Sequence, residues 1–150
     1  MCVFYCSFCV VGVGKVLAFT ALSIPERESR ILSWLVPNDA VQLALQGILI
    51  EKDVLELRPS YLPACLLDEN VELQLVQRYF TSEAWVAVSN AIGAMSGVVT
   101  YYCKICDMDT KDDECIVCDA CLCWMHMSCT GLSKAPKKRK WFCKTCAGQP

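Results

Sequence analysis

The amino-acid sequence predicts a small α+β fold in which a helical N-terminal region precedes a cysteine-rich C-terminal module. Two observations support this prediction. Apolar residues recur at helical spacing between residues 25 and 98, and most of the cysteines lie after residue 102, largely in C-x-x-C pairs. The chain therefore divides into an apolar segment at 1–24, a helical region of unknown role at 25–98 and the cysteine-rich module at 99–150.

The cysteine content indicates metal ligation rather than a disulfide framework. Of the 150 residues, 13 are cysteine, an odd number, and many of them lie in C-x-x-C pairs. This pattern is typical of thiolate ligands in a reducing compartment. The net charge of −2 provides no overall attraction to nucleic acid or to an anionic membrane. The charge is nevertheless divided, because acidic residues cluster at 107–119 and basic residues at 134–144.

The apolar segment leaves a membrane-anchored protein open as an alternative. Residues 2–24 are long enough to span a bilayer or to act as a secretory signal. Against that interpretation, no basic region precedes the segment, Lys15 lies in its middle and no small-residue cleavage site is clear. The other interpretations are a buried strand or hairpin, or a poorly ordered start.

The region at 25–98 is predicted to hold four helices. Ser23 and Glu26 form a capping-box pattern that opens the first helix, which is expected to run to about Val36 before Pro37. Asn38 or Asp39 is expected to cap the second helix. Its apolar side is predicted to comprise Val41, Leu45, Ile48 and Leu49.

The other two helices are predicted after residue 68. Asp68 precedes a third helix with an apolar stripe at Val71, Leu75, Val76, Tyr79 and Phe80. Thr81 or Ser82 is expected to start a fourth helix that ends near Met95. Stripes of this kind indicate a packed core. The sequence shows no phosphate-binding loop and no nucleophile placed beside a histidine, so we expect no catalytic activity.

Eight residues of the module have the spacing of zinc ligands. A C-x-x-C turn brings two sulfurs onto one metal ion, and four pairs with this spacing are enough for two closed tetrahedral sites. The only histidine of the chain fills one of these positions. In chain order the eight residues are Cys103, Cys106, Cys118, Cys121, His126, Cys129, Cys143 and Cys146. We expect the additional Cys115 and Cys123 not to bind metal.

Residues 101–146 closely resemble a PHD finger. The ligand order of four cysteines, a histidine and three cysteines matches, as do Gly131-Leu132 after the sixth ligand and Trp141 two residues before the seventh. The resemblance implies a cross-braced finger with two structural zinc ions. Cys103, Cys106, His126 and Cys129 would hold the first ion, and Cys118, Cys121, Cys143 and Cys146 the second. A RING-like ubiquitin-ligase scaffold is the alternative zinc-binding class.

The resemblance also implies a chromatin reader that binds the histone H3 tail. The tail would add as a strand along residues 114–118, with a methyl-lysine cage built from Tyr102, Trp124 and the position of Cys115. The core-facing position beside this cage belongs to Met125. Acidic partners for the arginine and free amine of the tail would be Asp112, Asp113, Glu114 and Asp119.

A basic run in the last third of the chain resembles a nuclear import signal. Lys137, Lys138, Arg139 and Lys140 follow Pro136 in the interval between Cys129 and Cys143. We therefore expect a nuclear protein. The alternatives for this run are non-specific contact with DNA phosphates, binding of a phosphoinositide headgroup and a plain solvated loop.

Overall fold

The computed structural model describes residues 16–111 and 113–148, which divide into two compact units. The first unit comprises residues 23–99, and the second comprises residues 16–22 together with the described residues from 100 onward. No helix in these described ranges has both the length and the hydrophobicity needed to cross a bilayer. Residues 2–15, which hold most of the apolar segment, lie outside the described part of the chain.

The first unit begins with α1 (Ile24–Ser33), which starts where the capping pattern predicts. The Glu26 carboxylate accepts hydrogen bonds from the backbone N–H and the hydroxyl of Ser23 at 2.8 and 2.6 Å. The helix ends before the expected Val36. Trp34 and Leu35 donate to carbonyls three residues back, so the chain leaves the α-helix through a tighter turn.

The second helix, α2 (Asn38–Leu45), differs from the prediction in its cap and in its buried side. Pro37 occupies the position before the helix, and Asn38 is already helical. Val41 is buried, but the other predicted members of the apolar side are exposed. The helix ends at Leu45, and Gly47, whose φ of +97° reverses the chain, leaves Ile48 and Leu49 outside it. The exposed members are Leu45, Ile48 and Leu49.

Three short 3-10 helices lie between α2 and the last helix of this unit. They span Lys52–Val54, Ala64–Leu67 and Leu73–Tyr79. The last of them replaces the predicted third α-helix, although Val76 is buried at its centre as the stripe requires.

The last helix of the unit, α3 (Ser82–Met95), confirms the predicted fourth helix. The Thr81 hydroxyl caps it by accepting from the Ala84 N–H at 3.3 Å. Ala84, Val88, Ile92 and Met95 form its buried side.

A buried carboxylate links α1 to the 3-10 helix at Leu73–Tyr79. Glu28 accepts a hydrogen bond from Tyr79 Oη at 2.8 Å and lies 2.9 Å from the Arg78 guanidinium.

The described part of the second unit contains a two-stranded antiparallel sheet and two single-turn helices. Strand β1 (Cys115–Val117) pairs with β2 (Trp124–His126), with Ile116 opposite Met125. Helix α4 (Met127–Thr130) follows β2 directly, and α5 (Lys144–Ala147) ends the described chain. Helices and a small sheet together confirm the α+β class.

Residues 16–22 belong to this second unit rather than standing apart from it. A 3-10 turn at Phe19–Ala21 places Phe19 with only 1% of its surface exposed, and its N–H donates to the Asp119 carbonyl at 2.6 Å. Val16 packs against the buried cysteine cluster of the unit. Part of the apolar N-terminal segment is therefore a packing element for the C-terminal module.

Candidate metal centres and the strand edge beside them

The eight predicted ligands come together as two groups of four. In each group the donor atoms lie within 4.8 Å of one another, which four ligands around one metal ion can satisfy. The first group is Cys103, Cys106, His126 and Cys129, and the second is Cys118, Cys121, Cys143 and Cys146. The groups alternate along the chain, which is the cross-braced arrangement. Thiolates and imidazole are the donors that zinc prefers, so two zinc ions fit.

Backbone N–H groups favour the thiolate form of Cys103 in the first centre. Both the Ile105 and the His126 N–H groups donate to the Cys103 sulfur at 3.4 Å. Burial raises the pKa of this thiol, but the N–H donors outweigh it and bring the pKa to about 7. Because zinc binds the thiolate, these donors prepare the site for the metal.

His126 is held in the tautomer that a metal ligand needs. Its Nε2 lies 3.0 Å from the Asp109 carbonyl, so Nε2 carries the proton and donates it there. Its Nδ1 faces the Cys106 and Cys129 sulfurs at 3.3 and 3.7 Å and is left with a lone pair for the metal. The Asp109 carbonyl therefore acts as the outer partner that orients a ligating histidine.

The second centre is built from four thiols and has a cation beside it. The Cys143 N–H donates to the Cys118 sulfur at 3.3 Å. A hydrogen bond between the Cys121 and Cys118 side chains lowers the pKa of Cys118 to about 6. Lys104 Nζ lies 3.7 Å from the Cys121 sulfur. Four thiolates leave a net negative charge on a zinc site, so the Lys104 ammonium offsets part of that charge.

Asp119 connects the second centre to the chain on either side of it. Its carboxylate accepts from the Trp141 N–H at 2.8 Å and pairs with Lys140 Nζ at 3.2 Å. Its own N–H donates to the Trp141 carbonyl, and its carbonyl accepts from Phe19. The sequence placed Asp119 among the tail-binding acids, whereas in the structure its carboxylate is engaged within the module.

Strand β1 presents one edge without a strand partner among the described residues. Met127 N–H donates to the Glu114 carbonyl and Cys118 N–H to the Cys123 carbonyl, so alternate residues of β1 bond to β2. By the same alternation, the N–H and C=O groups of Cys115 and Val117 point away from β2. The opposite edge of the sheet is occupied, because Lys104 N–H donates to the Trp124 carbonyl at 2.9 Å.

The proposed cage positions lie on and beside this sheet. The register places Cys115 and Trp124 on the same face, with Met125 on the other face at 1% exposure. The ring that contacts Trp124 is that of Tyr101, with centroids 5.0 Å apart and planes inclined at 49°. Tyr102 has 59% of its surface exposed.

The charged candidates lie on exposed loops. Asp113 and Glu114 are exposed immediately before β1, while Asp112 falls outside the described residues. The Asp113 carboxylate lies 3.6 Å from His126 Nε2. The four basic residues of the predicted import signal are all exposed in a segment without regular secondary structure: Lys137, Lys138, Arg139 and Lys140.

Sequence reasoning missed three contributors to the site. Tyr101 precedes the highlighted Tyr102, and only the structure shows that the Tyr101 ring contacts Trp124. Lys104 lies between two ligands of the first centre, yet its ammonium approaches the second. Phe19 is about a hundred residues from the partner of its N–H. Ligand spacing contains no signal for any of these contacts.

We predict two zinc ions per chain and a strict dependence on the eight ligands. His126→Ala opens a closed site, so it should release at least one zinc ion and unfold the module, because each structural site contributes roughly 10–16 kcal/mol to folding. Cys123→Ser should retain both ions. Elemental analysis of the purified full chain measures this directly. A wild-type chain with one zinc ion, or zinc loss in Cys123→Ser, would contradict the assignment.

We also predict that Asp119 supports the second zinc centre. Asp119→Ala removes the acceptor of the Trp141 N–H, which lies two residues before the ligand Cys143. Zinc affinity at that centre should fall by about 10–100-fold, because a hydrogen bond to a charged group contributes about 1.5–3 kcal/mol. Competition with a chromophoric chelator measures the affinity, and Glu69→Ala, which removes an exposed carboxylate of the first unit, is the control. Equal affinities in the two variants would show that Asp119 has no such role.

Comparison with known proteins agrees with this geometry. The family model described as PHD-finger matches residues 103–146. Protein Jade-1 of Xenopus laevis is 30% identical over 88 residues, an alignment that covers 54% of this chain and 10% of that protein. The chain thus spans about a tenth of the length of this curated relative. No solved structure matches the chain significantly.

The alignment with the frog protein is longer than the stretch from Cys103 to the end of the chain, so part of the similarity precedes the first ligand. Within 103–146 the family match, the cross-braced ligand groups and the small sheet all agree. Residues 103–146 are a PHD finger, a two-zinc protein-interaction module.

Proposed function

We propose that this PHD finger is a chromatin reader that binds the N-terminal tail of histone H3 as an extra strand on β1. The observation that carries the proposal is the edge of β1 that has no strand partner in the described part of the chain, where the N–H and C=O groups of Cys115 and Val117 point outward. An extended peptide satisfies such an edge with main-chain hydrogen bonds, while adjoining side chains provide specificity.

The charge at the start of β1 suits a basic tail. Asp113 and Glu114 are exposed there, and Asp112 lies between Lys111 and Asp113 in the sequence. These carboxylates are the partners we propose for the arginine side chains and the free amine of the tail. Asp119 is not part of this set, because its carboxylate binds Lys140 and the Trp141 N–H.

We propose that Trp124 and Tyr102 provide two walls for a methylated lysine of the tail. Aromatic faces attract a quaternary ammonium, and its partial desolvation costs less than that of an unmodified ammonium. Tyr101 contacts Trp124 and braces its ring. The third wall position holds Cys115, a small side chain whose sulfur lies 3.5 Å from the Thr110 carbonyl. The result is a shallow cage with weak discrimination.

The protein is proposed to act in the nucleus and to have no catalytic activity of its own. Both metal centres have four protein donors, which leaves no position for an activated water. The exposed basic run at 137–140 supports nuclear import.

We predict that an H3 peptide with a trimethylated lysine binds about five- to thirtyfold more tightly than the same peptide with an unmodified lysine. Two aromatic walls contribute roughly 1–2 kcal/mol to the preference, which corresponds to that ratio. Trp124→Ala should abolish the preference without releasing zinc, and Cys115→Met should increase it by adding a third wall. Calorimetry with four peptides that differ only in lysine methylation measures the ratio.

Two controls distinguish the cage from the rest of the surface. Tyr101→Phe keeps the ring against Trp124 and should leave the preference unchanged, whereas Tyr102→Ala should reduce it. Equal affinity for all four peptides, unaffected by Trp124→Ala, would rule out the cage. Absence of binding to every peptide would rule out the histone tail as the ligand.

A further inference from the structure

The charged side chains in the C-terminal part of the finger are all positive and have no role in zinc binding or in the proposed tail binding. No acidic residue follows Asp119 in the sequence, while six basic residues follow it. All six are exposed. They are Lys134, Lys137, Lys138, Arg139, Lys140 and Lys144. We call residues 134–140 the basic loop.

The basic loop is anchored at its end and unpaired at its centre. Lys140 pairs with Asp119, and the next residue, Trp141, donates its N–H to the same carboxylate. Trp141 also packs against the buried cluster around the second centre. Lys137, Lys138 and Arg139 form no ion pair with the residues that the structure describes. Three adjacent cations are thus held beside a metal-stabilised core with their charges facing solvent.

We infer that the basic loop binds the phosphate backbone of duplex DNA. Closely spaced lysine and arginine charges match a polyanion with regular phosphates, and such contacts need no base readout. This interaction goes beyond the proposed tail binding, since it uses a different surface and does not require a histone peptide.

The side chains of the basic loop favour duplex DNA over two other polyanions. A membrane surface is bound most strongly when bulky apolar side chains insert beside the charges, and the only apolar residues among 134–140 are Ala135 and Pro136. A single-stranded nucleic acid needs aromatic rings on which its bases stack. The neighbouring Trp141 and Phe142 are half-buried and pack against the core instead.

The salt dependence of binding tests this inference. The zinc-loaded full chain is titrated into a fluorescent mixed-sequence duplex without histone peptide. Three phosphate contacts predict a slope of about −2.7 for log affinity against log salt concentration, or about a 40-fold loss of affinity between 50 and 200 mM salt. The triple variant Lys137→Gln, Lys138→Gln, Arg139→Gln should lose most of this slope.

The matched control removes three exposed positive charges elsewhere, with Lys52→Gln, Arg58→Gln and Lys111→Gln in one chain. This control should retain the wild-type slope, which separates the loop from the effect of net charge. Histone peptide affinity is measured separately in both variants, so failure of tail binding is distinguishable from failure of DNA binding.

Three results would overturn the inference. One is an unchanged slope in the basic-loop variant, and another is an equal loss of slope in the matched control. The third is a preference for phosphatidylcholine vesicles that contain a phosphoinositide over the duplex at the same phosphate concentration, which would identify a membrane surface as the ligand.

Discussion

Interleaved metal coordination is the constraint on which the rest of the finger depends. Strand β1 runs directly into Cys118 of the second centre, and β2 ends on His126 of the first. Each strand has only three residues, too few for an isolated hairpin to be stable in water. A module of this size also buries too little apolar surface to fold unaided. The two ligand groups hold the hairpin from opposite ends, and the open edge of β1 exists because they do.

The sequence could predict whatever depends on residue type and spacing. The eight ligands, the capping of α1 by Ser23 and Glu26, and the start of α3 after Thr81 are local patterns of this kind. Contacts that join distant parts of the chain could not be predicted. The Phe19–Asp119 hydrogen bond and the approach of Lys104 to Cys121 depend on tertiary packing, for which neither helical periodicity nor ligand spacing contains information.

The same limit explains the errors within the helical unit. Apolar periodicity predicts a third helix after Asp68 but does not distinguish α from 3-10 geometry, and the helix at Leu73–Tyr79 is 3-10. Helix α2 ends at Leu45, and the backbone reversal at Gly47 leaves Ile48 and Leu49 outside the helix and exposed. Asp119 shows a related limit. From the sequence alone, an acidic residue beside a binding strand could contact a bound peptide or hydrogen-bond within the module, and only the structure shows its partners.

Charge is separated along the finger in a way that suits two different partners. The acidic residues precede or lie near β1, where a basic peptide would bind as an extra strand. The basic loop follows Cys129, the last ligand of the first centre. Asp119 bridges the two regions through its bond to Lys140, close to the second metal centre. Zinc coordination therefore positions the strand edge and the charged surfaces together, and loss of either metal ion would disturb both.

Amide hydrogen exchange on the finger with and without an H3 peptide tests the central claim most directly. The account predicts that the peptide slows exchange at Cys115 and Val117, whose N–H groups point away from β2. Exchange at Ile116, which already faces β2, should change little. Unchanged exchange at Cys115 and Val117 in the presence of saturating peptide would contradict strand addition on β1.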